Sequence, residues 1–100
     1  MIFCNLEQDG KTTACVFDGW PEYHAATFSP DVTIRNVIPL KVSGRTYKER
    51  RNSLRDLAID IQLADDGGLS WGETAALGAF FEEQGRRYGL LREFRENAIC

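Results

Sequence analysis

The segment from Ser70 to Gly89 constrains the fold most, because its side chains encode both ends of a helix. Ser70 and Glu73 have the spacing of a capping box, in which each side chain accepts a hydrogen bond from the other residue's backbone amide. Gly89 is suited to the left-handed conformation that commonly ends a helix. The pattern therefore predicts a central helix from Ser70 to Tyr88.

The interior of this segment carries an apolar stripe at three- and four-residue spacing, which predicts the buried face of the helix. The stripe consists of Leu77, Phe80, Phe81, Gln84 and Tyr88. The neighbouring flank consists of Trp71, Ala75, Gly78 and Gly85. Because glycine costs a helix roughly 1 kcal/mol relative to alanine, we expect both glycines to lie against another part of the chain.

A second helix is predicted upstream of the first. Thr46 and Glu49 repeat the capping-box spacing, and two glycines after Asp65-Asp66 end the helix. Its predicted apolar face consists of Tyr47, Leu54, Leu57, Ala58 and Ile61. The short connection to Ser70 predicts an antiparallel helical hairpin, and residues 90–96 are expected to add a short helix.

The N-terminal residues have the pattern of a β-hairpin. Asp9-Gly10 favours a type I′ turn between the alternating segments 2–7 and 12–17. With these two residues as the loop, Cys4 lies opposite Cys15 at a hydrogen-bonded position, where disulfide geometry is strained. The expected core side of the hairpin consists of Ile2, Cys4, Leu6, Cys15 and Phe17.

Two more strands are predicted, over Tyr23–Phe28 and Val32–Val42, and Pro39 places the second of these at a sheet edge or at a bulge. Strands that precede helices are typical of α+β proteins. We therefore expect residues 1–100 to form a single α+β domain. Its N-terminal antiparallel sheet would have three to four strands, followed by an α-helical hairpin packed on one face.

Composition narrows the range of functions. The chain has 43% hydrophobic residues, 27% charged residues and a formal net charge of −3, which is typical of an ordinary soluble domain. It has no long apolar run and no signal-peptide pattern, so we expect a cytoplasmic protein that does not enter the membrane. Its three cysteines form no C-x-x-C pair and accompany a single histidine, so we expect reduced thiols and no zinc.

No nucleotide-binding, metalloprotease or serine-hydrolase motif is present. The single histidine, His24, has no recognisable triad partner. The acidic pair Glu82-Glu83 is explained by ion pairs with Arg86-Arg87 four residues later. The sequence therefore predicts a protein that is not an enzyme and that needs no cofactor.

One cluster of basic residues is a candidate for partner binding. The predicted contact residues are Arg45, Lys48, Arg51 and Arg55, and the last three lie on one face of the second helix. Such a stripe is compatible with a solvated helix face, an acidic protein partner or a phosphate backbone. No aromatic residues for base stacking are interleaved with it, so nucleic acid, bound through Lys48, Arg51 and Arg55, is the alternative and not the first hypothesis.

The segments NSLRDLAIDIQ, LSWGE and RRYGLLREFRENAIC resemble the closing half of small accessory proteins encoded by phages and prophages of enteric bacteria. The resemblance covers about the last half of the chain and carries over no functional residue. It implies a protein that docks onto a host enzyme, nuclease, defence complex or polymerase. The expected function is thus a small non-enzymatic module that inhibits or modulates a host protein.

Overall fold

A computed structural model describes all 100 residues and shows an α+β fold with a three-stranded antiparallel sheet, which confirms the predicted fold class. The elements are β1 (Ile2–Gln8), β2 (Lys11–Phe17), α1 (Trp20–Ala25), β3 (Thr33–Pro39), α2 (Tyr47–Ala64), α3 (Trp71–Tyr88) and α4 (Leu91–Glu96). They form two compact units. The sheet unit comprises Met1–Leu40 and Leu63–Leu69, and the helical unit comprises Lys41–Gln62 and Ser70–Cys100.

The N-terminal hairpin has the predicted register. Cys4 pairs with Cys15 and Ile2 pairs with Phe17 across β1 and β2. Asp9 and Gly10 both have positive φ angles, 53° and 77°, as a type I′ turn requires. Two turn residues therefore set the pairing of the two seven-residue strands.

Strand β3 pairs with β1 and forms one edge of the sheet, in the order β2-β1-β3. Pro39 therefore lies on an edge strand, as predicted. Phe3 pairs with Ile38 and Asn5 pairs with Arg35, so two residues of β3 lie opposite the one residue between Phe3 and Asn5. Asn36, in this bulge, has a φ of 52°, a left-handed conformation that asparagine tolerates better than most residues.

The predicted strand over residues 23–28 is wrong, because helix α1 occupies the first half of this region and residues 26–28 form no strand. Gly19 is its N-cap, and Pro21 lies in its first turn, where a missing amide proton costs nothing. The ring of Tyr23 packs edge-to-face on that of Phe17, with centroids 5.6 Å apart. Aromatic residues thus hold a six-residue helix that has no side-chain cap.

The sheet unit buries both sides of β1, and not only the predicted side. Phe3 and Asn5 alternate with Cys4, and all three are at most 2% exposed. The Asn5 amide nitrogen donates to the Ala64 carbonyl at 2.9 Å, and its amide oxygen accepts a 2.9 Å hydrogen bond from Asn36. This buried asparagine therefore joins the central strand to the bulge and to the end of α2.

The helical unit contains both predicted capping boxes. Ser70 and Glu73 cap α3, Thr46 and Glu49 cap α2, and Gly89 ends α3 with φ 70° and ψ 26°. The buried residues of this unit are Leu54, Leu57, Ala58, Ile61, Leu77, Phe81, Gly85, Tyr88, Leu90 and Phe94. The expectation that Tyr47 is buried is wrong, because it is 58% exposed. Its ring lies on the outside of Tyr88, with centroids 5.7 Å apart.

Candidate interaction surface

The predicted basic stripe lies at the start of α2 and immediately before it. Arg45 and Lys48 are exposed, whereas Arg51 and Arg55 are half-buried. The four residues therefore fall into two pairs with different surroundings. The contacts of each side chain decide which charges are available to a partner.

Arg55 is committed to an internal ion pair. Its Nε and one terminal nitrogen donate to the two carboxylate oxygens of Glu93 at 2.9 and 3.2 Å, which joins α2 to α4. This hydrogen bonding is the main cause that lowers the pKa of Glu93; burial opposes it, and the charges of Arg55 and Arg51 add smaller lowering effects. The same contact raises the pKa of Arg55. The bidentate geometry satisfies both charges within the helical unit.

Arg51 is committed to the end of α3. Its Nε donates to the Tyr88 carbonyl at 3.1 Å, one of the terminal carbonyls that have no partner inside the helix. Neighbouring Arg50 donates to the Gly44 carbonyl at 3.1 Å and to the Tyr88 hydroxyl at 3.4 Å. These arginines therefore stabilise the packing of the helical unit.

Arg45 and Lys48 form no ion pair in the structure, and both side chains are exposed. Glu49, the residue after Lys48, accepts hydrogen bonds from the backbone amides of Arg45 and Thr46 at 2.7 and 3.3 Å. These bonds lower the pKa of Glu49. The charges of the stripe that have no ion-pair partner are thus those of Arg45 and Lys48, which lie near the Glu49 carboxylate in the sequence.

The second candidate surface is an exposed apolar part of α3. Trp71, in the helical unit, is 92% exposed. The other large apolar side chain of high exposure, Leu63 at 82%, belongs to α2 and to the sheet unit. Trp71 is the first residue of α3. At 100° per residue, Ala75 and Gly78 lie within about 60° of each other and on either side of Trp71 around the helix axis. We call Trp71, Ala75 and Gly78 the Trp71 face.

The Trp71 face is open. A Cβ atom added at Gly78 would meet no atom within 4 Å, and the same is true of Gly72. The expectation that another part of the chain lies against Gly78 is therefore wrong. At Gly85 the expectation is confirmed, because an added Cβ would lie 2.9 Å from Phe94 Cδ2 and 3.3 Å from the backbone of Leu91. The two glycines of one flank thus have opposite surroundings.

Sequence reasoning placed Trp71 beside the core and missed its exposure. The sequence does contain a sign of this exposure, because Trp71 lies about 100° around the helix axis from the buried line of Leu77, Phe81 and Tyr88. Its position in the first turn is a second sign. The tryptophan begins the helix, so no preceding turn of α3 covers its ring.

The structure brings no catalytic group together around His24. Its imidazole stacks on the Trp20 ring, with centroids 5.8 Å apart, and takes part in no hydrogen bond or ion pair. No three His, Cys, Asp or Glu side chains are arranged to hold a metal ion. No helix is both long enough and apolar enough to cross a bilayer.

Each unit also has a shallow groove on its surface. One, of about 240 Å³, lies between α2 and α4 and is lined by Arg55, Ile59, Gln62, Glu93, Phe94, Asn97 and Ile99. The other, of about 320 Å³, lies beside the hairpin turn and is lined by Leu6, Gln8, Asp9, Lys11, Thr13 and Val32. Both are near or below the small end of the range for ligand pockets. No protein-family model, curated protein or solved structure matches the chain.

Proposed function

We propose that this chain is a small non-enzymatic protein-binding module whose central contact is the Trp71 face. The observation that supports this proposal is the 92% exposure of Trp71. Tryptophan is among the residues most enriched at the energetic centres of protein interfaces, because its large ring buries much apolar area in a partner's pocket. Ala75 and Gly78 add no bulk beside it, so a partner can approach the α3 backbone closely.

The proposed partner is a host protein that this module inhibits or modulates. The class of partner comes from the resemblance of residues 52–62, 69–73 and 86–100 to accessory proteins of phages and prophages of enteric bacteria. The chemistry of the Trp71 face adds that the partner offers an apolar pocket able to receive an indole ring.

Arg45 and Lys48 have a separate role in this proposal. Exposed charges at the edge of an interface change the rate of association more than the final affinity. The two cations would therefore speed association with an acidic protein. Binding to nucleic acid is less well supported, because Arg51 and Arg55 already donate to Tyr88 and Glu93.

The experiment is affinity capture from a lysate of enteric bacteria, with quantitative mass spectrometry of the captured proteins. Three baits are compared: the natural chain, Trp71→Ala and Arg87→Ala. Arg87 is the matched control, because it is exposed on the same helix and forms no ion pair. If truncating Trp71 removes at least about 2 kcal/mol of binding free energy, as is typical of a residue at the centre of an interface, binding weakens by about 30-fold or more.

We expect one protein or complex to be depleted with Trp71→Ala and retained with Arg87→Ala. Nuclease treatment should leave the capture unchanged, and moderate salt should weaken it only slightly. Equal capture by both variants would contradict the role of Trp71. Capture that disappears after nuclease treatment would favour the nucleic-acid alternative.

A further inference from the structure

The cysteine pair of the hairpin has a geometry that the proposed function does not use. Cys4 and Cys15 are direct cross-strand partners, and their Sγ atoms are 3.2 Å apart. A disulfide bond is about 2.0 Å long, so the two sulfur atoms need to approach by only about 1 Å. The register places the two backbones at about 5.5 Å, which lies within the range that a disulfide spans.

The two thiols differ in their access to solvent. Cys4 is 0% exposed, whereas Cys15, on edge strand β2, is half-buried. A dissolved oxidant therefore reaches Cys15 first. Once Cys15 is modified, Cys4 is the nearest thiol to its sulfur atom and is held there by the strand register.

We infer that Cys15 and Cys4 form a thiol–disulfide exchange site, with Cys15 as the attacking thiol and Cys4 as the resolving thiol, for small disulfides such as glutathione disulfide. The Cys15 thiolate attacks one sulfur of the small disulfide and releases one small thiolate. The Cys4 thiol then loses its proton and attacks Cys15 Sγ, which releases the second small thiolate. The two protons from the protein reach the two released thiolates, and the product is a Cys4–Cys15 disulfide.

The product joins the central strand to edge strand β2. Because the hydrogen-bonded register strains a cross-strand disulfide, the bond is readily reduced, and the site is reversible. The third cysteine, Cys100, lies at the exposed C-terminus, and partial burial raises the pKa of its thiol, with Glu82 adding to the effect. It takes no part in the pair.

The test uses the full chain with Cys100→Ser, which leaves only the pair. The folded protein is incubated with glutathione disulfide and followed by intact mass. We expect the mass to fall by two hydrogen atoms without accumulation of a glutathione adduct, and excess reduced glutathione should reverse the change. With Cys4→Ala added, one glutathione should accumulate on Cys15. With Cys15→Ala added instead, we expect Cys4 to react on the order of 100-fold more slowly, because the strand must open first.

A second measurement needs no change in the buried position. The natural chain is exposed briefly to iodoacetamide while folded and is then digested after Lys11, which separates the two cysteines. Cys15 should be alkylated before Cys4. The inference is overturned if a stable glutathione adduct forms on the Cys100→Ser chain, if both thiols stay reduced, or if Cys4 is alkylated first.

Discussion

Gly78→Ala and Gly85→Ala form a matched pair that tests the packing of α3. Both glycines lie inside the same helix, so each substitution gains about 0.5–1 kcal/mol of helix propensity. At Gly78 nothing opposes this gain, since a Cβ meets no atom within 4 Å. We therefore expect Gly78→Ala to stabilise the protein by that amount.

At Gly85 the same gain is opposed by a clash. The new Cβ would lie 2.9 Å from Phe94 Cδ2, and the Phe94 side chain is 1% exposed and packed edge-to-face on Phe81. The backbone of Leu91 lies 3.3 Å away on the same helix α4, so relief requires α4 to move. Overpacking of this kind costs about 1–3 kcal/mol. Because propensity contributes equally to both variants, the difference between them is this packing cost.

Urea unfolding of the natural chain and the two variants measures that difference directly. The midpoints should rank Gly78→Ala above the natural chain and Gly85→Ala last, with similar slopes. In thermal melts, each 1 kcal/mol corresponds to about 4–8 °C for a domain of this size. Equal stabilities for the two variants would refute the assignment of one glycine to solvent and the other to a helix contact.

Three further predictions concern stability. Asn5→Ala should destabilise by about 1–3 kcal/mol in urea, because a carbonyl at the end of α2 loses its donor; no change would show that water replaces the amide. Arg55 lowers the pKa of Glu93 below its ordinary value of 4.5, so this contribution to stability is present above pH 4.5 and is lost as the pH falls through the lower folded value. Arg55→Gln should therefore reduce the loss of stability below that pH, and parallel curves of urea midpoint against pH for the two proteins would argue against the ion pair. Ser70→Ala should cost about 1 kcal/mol and Phe81→Ala about 3–5 kcal/mol in the same assay, and equal, near-zero effects would contradict the α3 assignment.

The sequence predicts the features that neighbouring residues determine. The Asp9-Gly10 turn fixes the hairpin register, and the capping boxes at Thr46 and Ser70 mark the starts of the two long helices. Each of these signals depends on residues within about four positions of one another, so it does not depend on how distant parts of the chain pack. The position of Pro39 on an edge strand follows in the same way from its missing amide proton.

Features that depend on distant residues are not encoded locally. The alternation around His24 fits a short strand, and only the packing of Tyr23 on Phe17 favours α1. Asn5 is not on the predicted core side of the hairpin, and its burial depends on the Ala64 carbonyl at the end of α2, 59 positions away. Side-chain spacing alone cannot distinguish these cases.

The candidate site shows the same division. The basic stripe is visible in the sequence, but the commitment of Arg51 and Arg55 to Tyr88 and Glu93 depends on residues 37 and 38 positions away. The open surroundings of Gly78 likewise depend on where α4 lies, since α4 covers Gly85. The chemistry of the surface can be predicted from the sequence, whereas its availability requires the fold.

Photo-crosslinking in cells tests the central claim most directly. A photoreactive phenylalanine analogue is placed at position 71 in one variant and at position 87 in the other, and the products are identified by mass spectrometry. Both positions are exposed on α3, so the photoreactive side chain can reach a partner from either one. The proposal predicts a discrete crosslinked protein from position 71 and none from position 87; no product from position 71, or the same products from both, would contradict it.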